Sequence, residues 1–116
     1  MILNTLEFAH VIVEALEDKK AENIILMDIE KIATFTGYFV ICSGTSDRML
    51  DALADGVVDK IREKYTIKAR PQGESSSGWV IVDFGFVIVH CFAPETREFY
   101  KLEELWREGR TLLHVQ

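Results

Sequence analysis

The chain has 116 residues, of which 48% are apolar and 28% charged, the balance of an ordinary globular domain able to bury a core without disulfides or metal. No apolar run approaches the ~20 residues that cross a bilayer, and the start does not resemble a signal peptide, so one cytoplasmic domain is expected over 1–116. A net charge of −6 is the wrong sign for a protein that tracks nucleic-acid phosphates, although an acidic domain suits a basic protein partner.

Asn4, with Glu7 three residues on, has capping-box spacing. Leu6, Ala9, Val13 and Leu16 then recur at helical intervals, which predicts a helix over 5–17. Residues 23–29 (NIILMDI) and 38–43 (YFVICS) are continuous apolar runs, expected as strands buried on both faces. The second leads through Gly44-Thr45-Ser46 into a long helix. Leu50, Leu53, Ala54, Val57 and Ile61 form its apolar stripe, with Asp47, Asp51, Asp55 and Asp59 facing water. Residues 66–70 (TIKAR) predict a short strand stopped by Pro71, and 72–78 a loop.

Residues 79–92 (WVIVDFGFVIVHCF) predict a hairpin turning at Phe84-Gly85, with Asp83 opposite Phe86 and Trp79 opposite His90. Val80, Val82, Val87 and Val89 would then form an apolar wall. The other face would carry Trp79, Ile81, Asp83, Phe86, Ile88 and His90. Aromatic residues at a protruding turn point to a protein-binding surface rather than to chemistry. Pro94 suits the start of a final helix whose buried stripe is Phe99, Leu102, Leu105 and Trp106. The expected architecture is α/β: a mixed sheet of about five strands covered by helices, with a core over about 4–106 and a tail over 107–116.

Candidate chemistry is sparse. Cys42 and Cys91 have no CxxC spacing and read as core thiols. His10, His90 and His114 stand on three elements and make no metal-ligand pattern. Ser75, Ser76 and Ser77 form a flexible polar tract with no adjacent base. Gly44-Thr45-Ser46 superficially resembles the glycine-serine turn of nucleotidyltransferases. Those enzymes, however, need two carboxylates alternating along a following strand. Here the aspartates follow at helical spacing, and Phe86 opposite Asp83 cannot ligate a metal, so no catalytic residue, metal or cofactor is assigned. The cluster Lys60, Arg62, Lys64, Lys68 and Arg70 reads first as a solvated face, with contact to RNA phosphate as the sharper alternative. Glu74, Asp83 and the aromatic residues fit a patch that grips Lys or Arg on a partner.

Several segments together resemble the ribosomal silencing factor S family, also called Iojap: residues 38–48 (YFVICSGTSDR), Gly73-Glu74, 79–85 (WVIVDFG), 87–90 (VIVH) and 99–106 (FYKLEELW). The likeness runs in order from about Leu6 to Trp106. It implies a nucleotidyltransferase-like fold without catalytic residues, and binding of large-subunit ribosomal protein fourteen so that the small subunit cannot join. It implies repression of translation under nutrient limitation, and for organellar relatives a role in large-subunit assembly. The family's partner-facing positions fall on Trp79, Asp83, Phe84 and Gly85, with Glu74 nearby and Phe86 at the same turn. Three positions depart from the pattern: Gly37 and Phe86 stand where Asp is usual, and Met49 where His is usual. A nucleotidyltransferase-type enzyme is the alternative function, and a homodimer through the apolar hairpin face is a further expectation.

Overall fold

The Asn4 carboxamide oxygen accepts the Glu7 amide at 3.0 Å and so starts α1, Thr5–Asp18. In this structure, a computed structural model describing residues 3–116, there follow β1 (Glu22–Asp28), β2 (Tyr38–Ser43) and α2 (Asp47–Tyr65). Next come β3 (Pro71–Gln72), a 3₁₀ turn at Ser75–Ser77, β4 (Trp79–Asp83) and β5 (Val87–Phe92). The chain closes with α3 (Pro94–Tyr100), α4 (Leu102–Leu105) and β6 (Arg110–Val115). The six strands form one mixed sheet in the order β3-β4-β5-β2-β1-β6. Only β2 and β5 pair in parallel, from Tyr38 opposite Val87 to Ser43 opposite Phe92.

Strand side chains alternate between the sheet's faces, and each face has its own apolar layer. Against α1 and α2 lie Ile24, Leu26, Tyr38, Val40, Cys42, Val80, Val82, Val87, Val89 and Cys91, all buried with the helices' apolar stripes. The valine wall is therefore present. The opposite face carries Met27, Phe39, Ile41 and Phe92, covered by Leu102 and partly by Trp106, Trp79 and Ala33. Cys42 and Cys91 are register partners across the parallel pair. The Cys42 thiol is pushed well up from its usual range, first by its hydrogen bond with Cys91 and then by burial. Both are free, buried core groups.

Several expectations are corrected. The hairpin pairs Asp83 with Ile88, Val82 with Val89 and Trp79 with Phe92, two positions from the predicted register. The Phe84 amide donates to the Val87 carbonyl at 2.9 Å, so the turn residues are Gly85-Phe86. Gly85 at φ +88° takes the first central position, where a type II′ turn needs a glycine. A shift of two keeps the strand side chains on their predicted faces, but Phe86, now in the turn, packs against Phe8 on the α1 side instead of the face expected for it.

Residues 66–70 are a strap without strand pairing rather than a strand. Thr66 caps α2 in the left-handed region, and the short β3 is formed by Pro71–Gln72. Proline is tolerated there because β3 is the sheet's edge. The segment 72–78 is not all loop: Gln72 pairs with Ile81, and the Ser75 hydroxyl donates to the Asp51 carboxylate at 2.9 Å, pinning the serine tract to α2.

The tail over 107–116 is not peripheral, since β6 pairs antiparallel with β1 and packs Leu112, Leu113 and Val115 on the core. Of the two strands expected to be buried on both faces, β2 is, whereas Glu22, Asn23 and Ile25 of β1 keep some exposure. Leu6, placed in the α1 stripe, is exposed.

The final helix is broken. Lys101 adopts φ 48°, ψ 51°, which ends α3 and swings α4 onto a new axis. Leu102 and Trp106 turn toward the sheet, while Phe99 is 78% and Leu105 74% exposed. A helix of seven residues followed by one of four has little stability of its own. Arg97 holds them: its guanidinium reaches Glu103 at 2.8 Å, the Asn23 carbonyl at 2.7 Å and the Ser43 hydroxyl at 2.9 Å. Arg97→Met is expected to cost about 2–3 kcal/mol in urea unfolding by leaving Glu103 unpaired, with early amide exchange over 94–105. Thr66→Gly is expected to raise stability by about 0.5–1 kcal/mol, because a β-branched residue in the left-handed region is strained.

Candidate functional site

The face of the sheet opposite the long helices is only partly roofed, since α3 and α4 are short. Trp79 and Asp83 stand there at the two ends of β4, about 13 Å apart by strand geometry, with Ile81 between them. Ile88 and His90 of β5 lie alongside. Trp79 is half-buried, its ring 4.8 Å from Phe92 and 4.9 Å from Tyr100 between centroids.

From Trp79 a row of rings crosses the face in both directions. One way it passes to Tyr100, which is 46% exposed, and then 5.0 Å on to Phe99. The other way it runs through His90 to Phe39 at 4.6 Å, Trp106 at 5.7 Å and Phe35 at 5.5 Å. Phe35 is 54% exposed, so both ends of the row are open to solvent.

The predicted site residues are not all brought together. Phe84 points to the other face, 5.2 Å from the buried Phe8, and the Phe86 ring lies 4.7 Å from Phe8. Neither phenylalanine is the protruding exposed group expected at the turn; both are half-buried and hold the hairpin on α1. The Phe86 carbonyl accepts from the Gly37 and Tyr38 amides, which ties the turn to β2. Exposed Gly85 donates its amide to the Asp83 carboxylate at 2.7 Å, so that carboxylate is aimed at the turn while still open to solvent. Glu74 is exposed at the Trp79 end of β4, its carbonyl taken by the Ser77 amide and hydroxyl. Met49 has a local role: its sulfur accepts from the Thr45 amide at 3.3 Å and hydroxyl at 3.7 Å, while Ser46 caps α2.

Reading the sequence missed Phe99 and Leu105 as surface groups, because their helical spacing with Leu102 and Trp106 matched a buried stripe. Phe35 was not singled out. Its signal is an aromatic side chain in a short segment rich in threonine and glycine.

Among the described residues, the titratable group buried within this face is His90, 5% exposed. Its Nδ1 accepts from Trp79 Nε1 at 3.2 Å, which assigns the proton to Nε2, a buried atom with no partner. Burial lowers its pKa to about 4 against a smaller opposing pull from Asp83, so the ring is neutral near pH 7. It fixes the Trp79 indole rather than exchanging protons with solvent. Because the unfolded imidazole titrates near 6.5, the unfolded chain binds the extra proton between pH 6.5 and 4. Stability should therefore fall by about 3 kcal/mol as pH drops through that window. His90→Asn keeps an acceptor for Trp79 but does not titrate. Urea midpoints measured from pH 7 to 4 should show a shallower decline for that variant than for the parent.

Comparison with known proteins finds bacterial relatives of similar size and a longer mouse relative. The family model described as "Ribosomal silencing factor during starvation" matches residues 3–115. The ribosomal silencing factor RsfS of Bacillus subtilis (strain 168) is 38% identical over 95 residues, covering 82% of this chain and 80% of its own. A mouse protein named "Mitochondrial assembly of ribosomal large subunit protein 1" is 36% identical over 99 residues, 82% of this chain and 43% of the mouse protein. A crystal structure of a Chromobacterium violaceum protein superposes with a TM-score of 0.85 at 32% identity, covering 98% of this chain and 94% of that one. The chain belongs to the ribosomal silencing factor family.

Proposed function

We propose that this protein acts as an obstacle on the large ribosomal subunit: it binds protein fourteen of that subunit and keeps the small subunit from joining, without catalysing a reaction. What carries the reading is the row of rings from Phe99 through Tyr100 and Trp79 to Phe35, with Asp83 open to solvent on the same face. Aromatic anchors beside a carboxylate suit a partner that presents Arg or Lys, through ring–cation contact and ion pairing. The chain's −6 charge favours approach to such a basic partner. The family's name and the mouse relative's name both refer to the ribosome, and protein fourteen is the partner that the family resemblance implies.

On this reading the expected anchors divide into two groups. Trp79 and Asp83 serve as direct contacts, with Tyr100 and Phe99 extending them. Gly85 and Glu74 lie at the margin. Phe84 and Phe86 act by holding the hairpin on α1.

Trp79→Ala and Tyr100→Ala are each expected to weaken co-sedimentation with purified large subunits by about 30-fold, the equivalent of 2 kcal/mol at an interface anchor. Asp83→Asn, which keeps an oxygen for the Gly85 amide, should weaken it less and reduce its salt dependence. Phe84→Ala should lower the unfolding midpoint more than the affinity. Unaltered co-sedimentation for folded Trp79→Ala and Tyr100→Ala proteins would remove this face from the reading. Pyrophosphate release from nucleoside triphosphates with magnesium would instead favour an enzyme.

A further inference from the structure

Charge is distributed very unevenly along this acidic chain. Residues 59–70 hold five Lys or Arg against two Asp or Glu, a local +3, whereas the rest holds eight against seventeen, or −9. The fold gathers three of these cations around one cleft of about 370 Å³ between the end of α2 and the strap that follows, lined by Val58, Arg62, Lys68, Ala69 and Arg70. In the strap, Ile67 and Ala69 are half-buried while Thr66, Lys68 and Arg70 are exposed. This alternation leaves Lys68 and Arg70 exposed together at the cleft.

Arg62 pairs with Asp59 at 3.2 Å, with both side chains more than half exposed. Among the described residues, Lys68 and Arg70 make no ion pair. The C-terminal dipole of α2 accounts for Arg62 and Lys64 in its last turn, but not for two further cations on the strap. The cleft lies beside α2, which covers the other face of the sheet from Trp79 and the row of rings.

We infer that this cleft is a second contact surface, which binds the phosphodiester backbone of RNA through Arg62, Lys68 and Arg70. A membrane surface fits less well, because among the described residues the exposed large apolar side chains, Leu6, Ile32, Phe35, Phe99, Tyr100 and Leu105, all lie outside the cleft. An acidic peptide would need anchoring pockets, and the floor here offers only Val58 and Ala69. Phosphate contacts need neither, since charge and reach suffice. The inference goes beyond docking on a ribosomal protein and does not depend on it.

The test is equilibrium binding of the full chain to a fluorescent large-subunit ribosomal RNA fragment across a salt series. Three phosphate contacts predict a slope of about −2 to −3 in log affinity against log salt. The triple variant Arg62→Gln, Lys68→Gln, Arg70→Gln should bind at least about tenfold more weakly with a slope near zero. Lys68→Glu alone should shift affinity the same way without touching the Arg62–Asp59 pair. Trp79→Ala should leave RNA binding unchanged, which separates this surface from the docking face. RNA binding that is absent, or unaltered in folded Lys68→Glu and triple-variant proteins, overturns the inference. So does tighter binding to phosphatidylserine vesicles or to poly-glutamate than to RNA.

Discussion

The parallel pairing of β2 with β5 is the constraint from which the rest of the architecture follows. Two segments more than forty residues apart lie side by side from Tyr38–Val87 to Ser43–Phe92, so the chain between them must leave the sheet and return. Helix α2 begins the excursion, started by the Ser46 cap as soon as β2 ends. Both strands sit in the middle of the sheet, and β2 accordingly reads as a continuous apolar run, while β5 is apolar apart from His90. At one end the Phe86 carbonyl accepts two amides from the start of β2. At the other the Gly44 amide donates to Phe92. The pair is thus closed by hydrogen bonds at both limits, and each apolar layer is built outward from it.

The two layers are unequal, and function follows from that inequality. Helices of fourteen and nineteen residues seal one face, with Phe8 at the centre of a ring cluster that includes Tyr65, Phe84 and Phe86. The other face is roofed by helices of seven and four residues held through Leu102 and the Arg97 clamp. A short roof leaves part of an apolar sheet uncovered, and the side chains there are mainly aromatic. Rings tolerate such a border position because their edges and faces contact both protein and solvent. His90 fits the same logic. It is a polar group admitted to a buried site because the Trp79 indole hydrogen needs an acceptor.

Much of this was legible in the residues. The Asn4 cap, the α2 stripe, the β2 run and the valine wall were each set by local chemistry that the tertiary structure did not override. The hairpin's faces were legible although its register was not, because a slip of two positions preserves the alternation. A glycine that favours the first central position of a type II′ turn was the signal that distinguished the two registers. Strand β6 was hidden because Leu112 and Leu113 are adjacent. An irregularity in its pairing with β1 absorbs the broken alternation. Strand β3 was hidden by Pro71, which ends a central strand but not an edge one. The docking side chains were the least legible. Phe99 and Leu105 lie at true helical spacing from Leu102 and Trp106, and only the backbone at Lys101 separates them.

That backbone has a wider consequence. Lys101 occupies a region that residues other than glycine seldom enter, at a cost of about 1–2 kcal/mol. Were it to relax into an ordinary helical turn, residues 94–106 would form one rod, and the four apolar groups would fall on a common stripe. Phe99 and Leu105 would then compete with Leu102 and Trp106 for the same shelter. One dihedral pair therefore sorts a single amphipathic pattern into two populations, an inner pair that holds the domain shut and an outer pair left for whatever the domain meets.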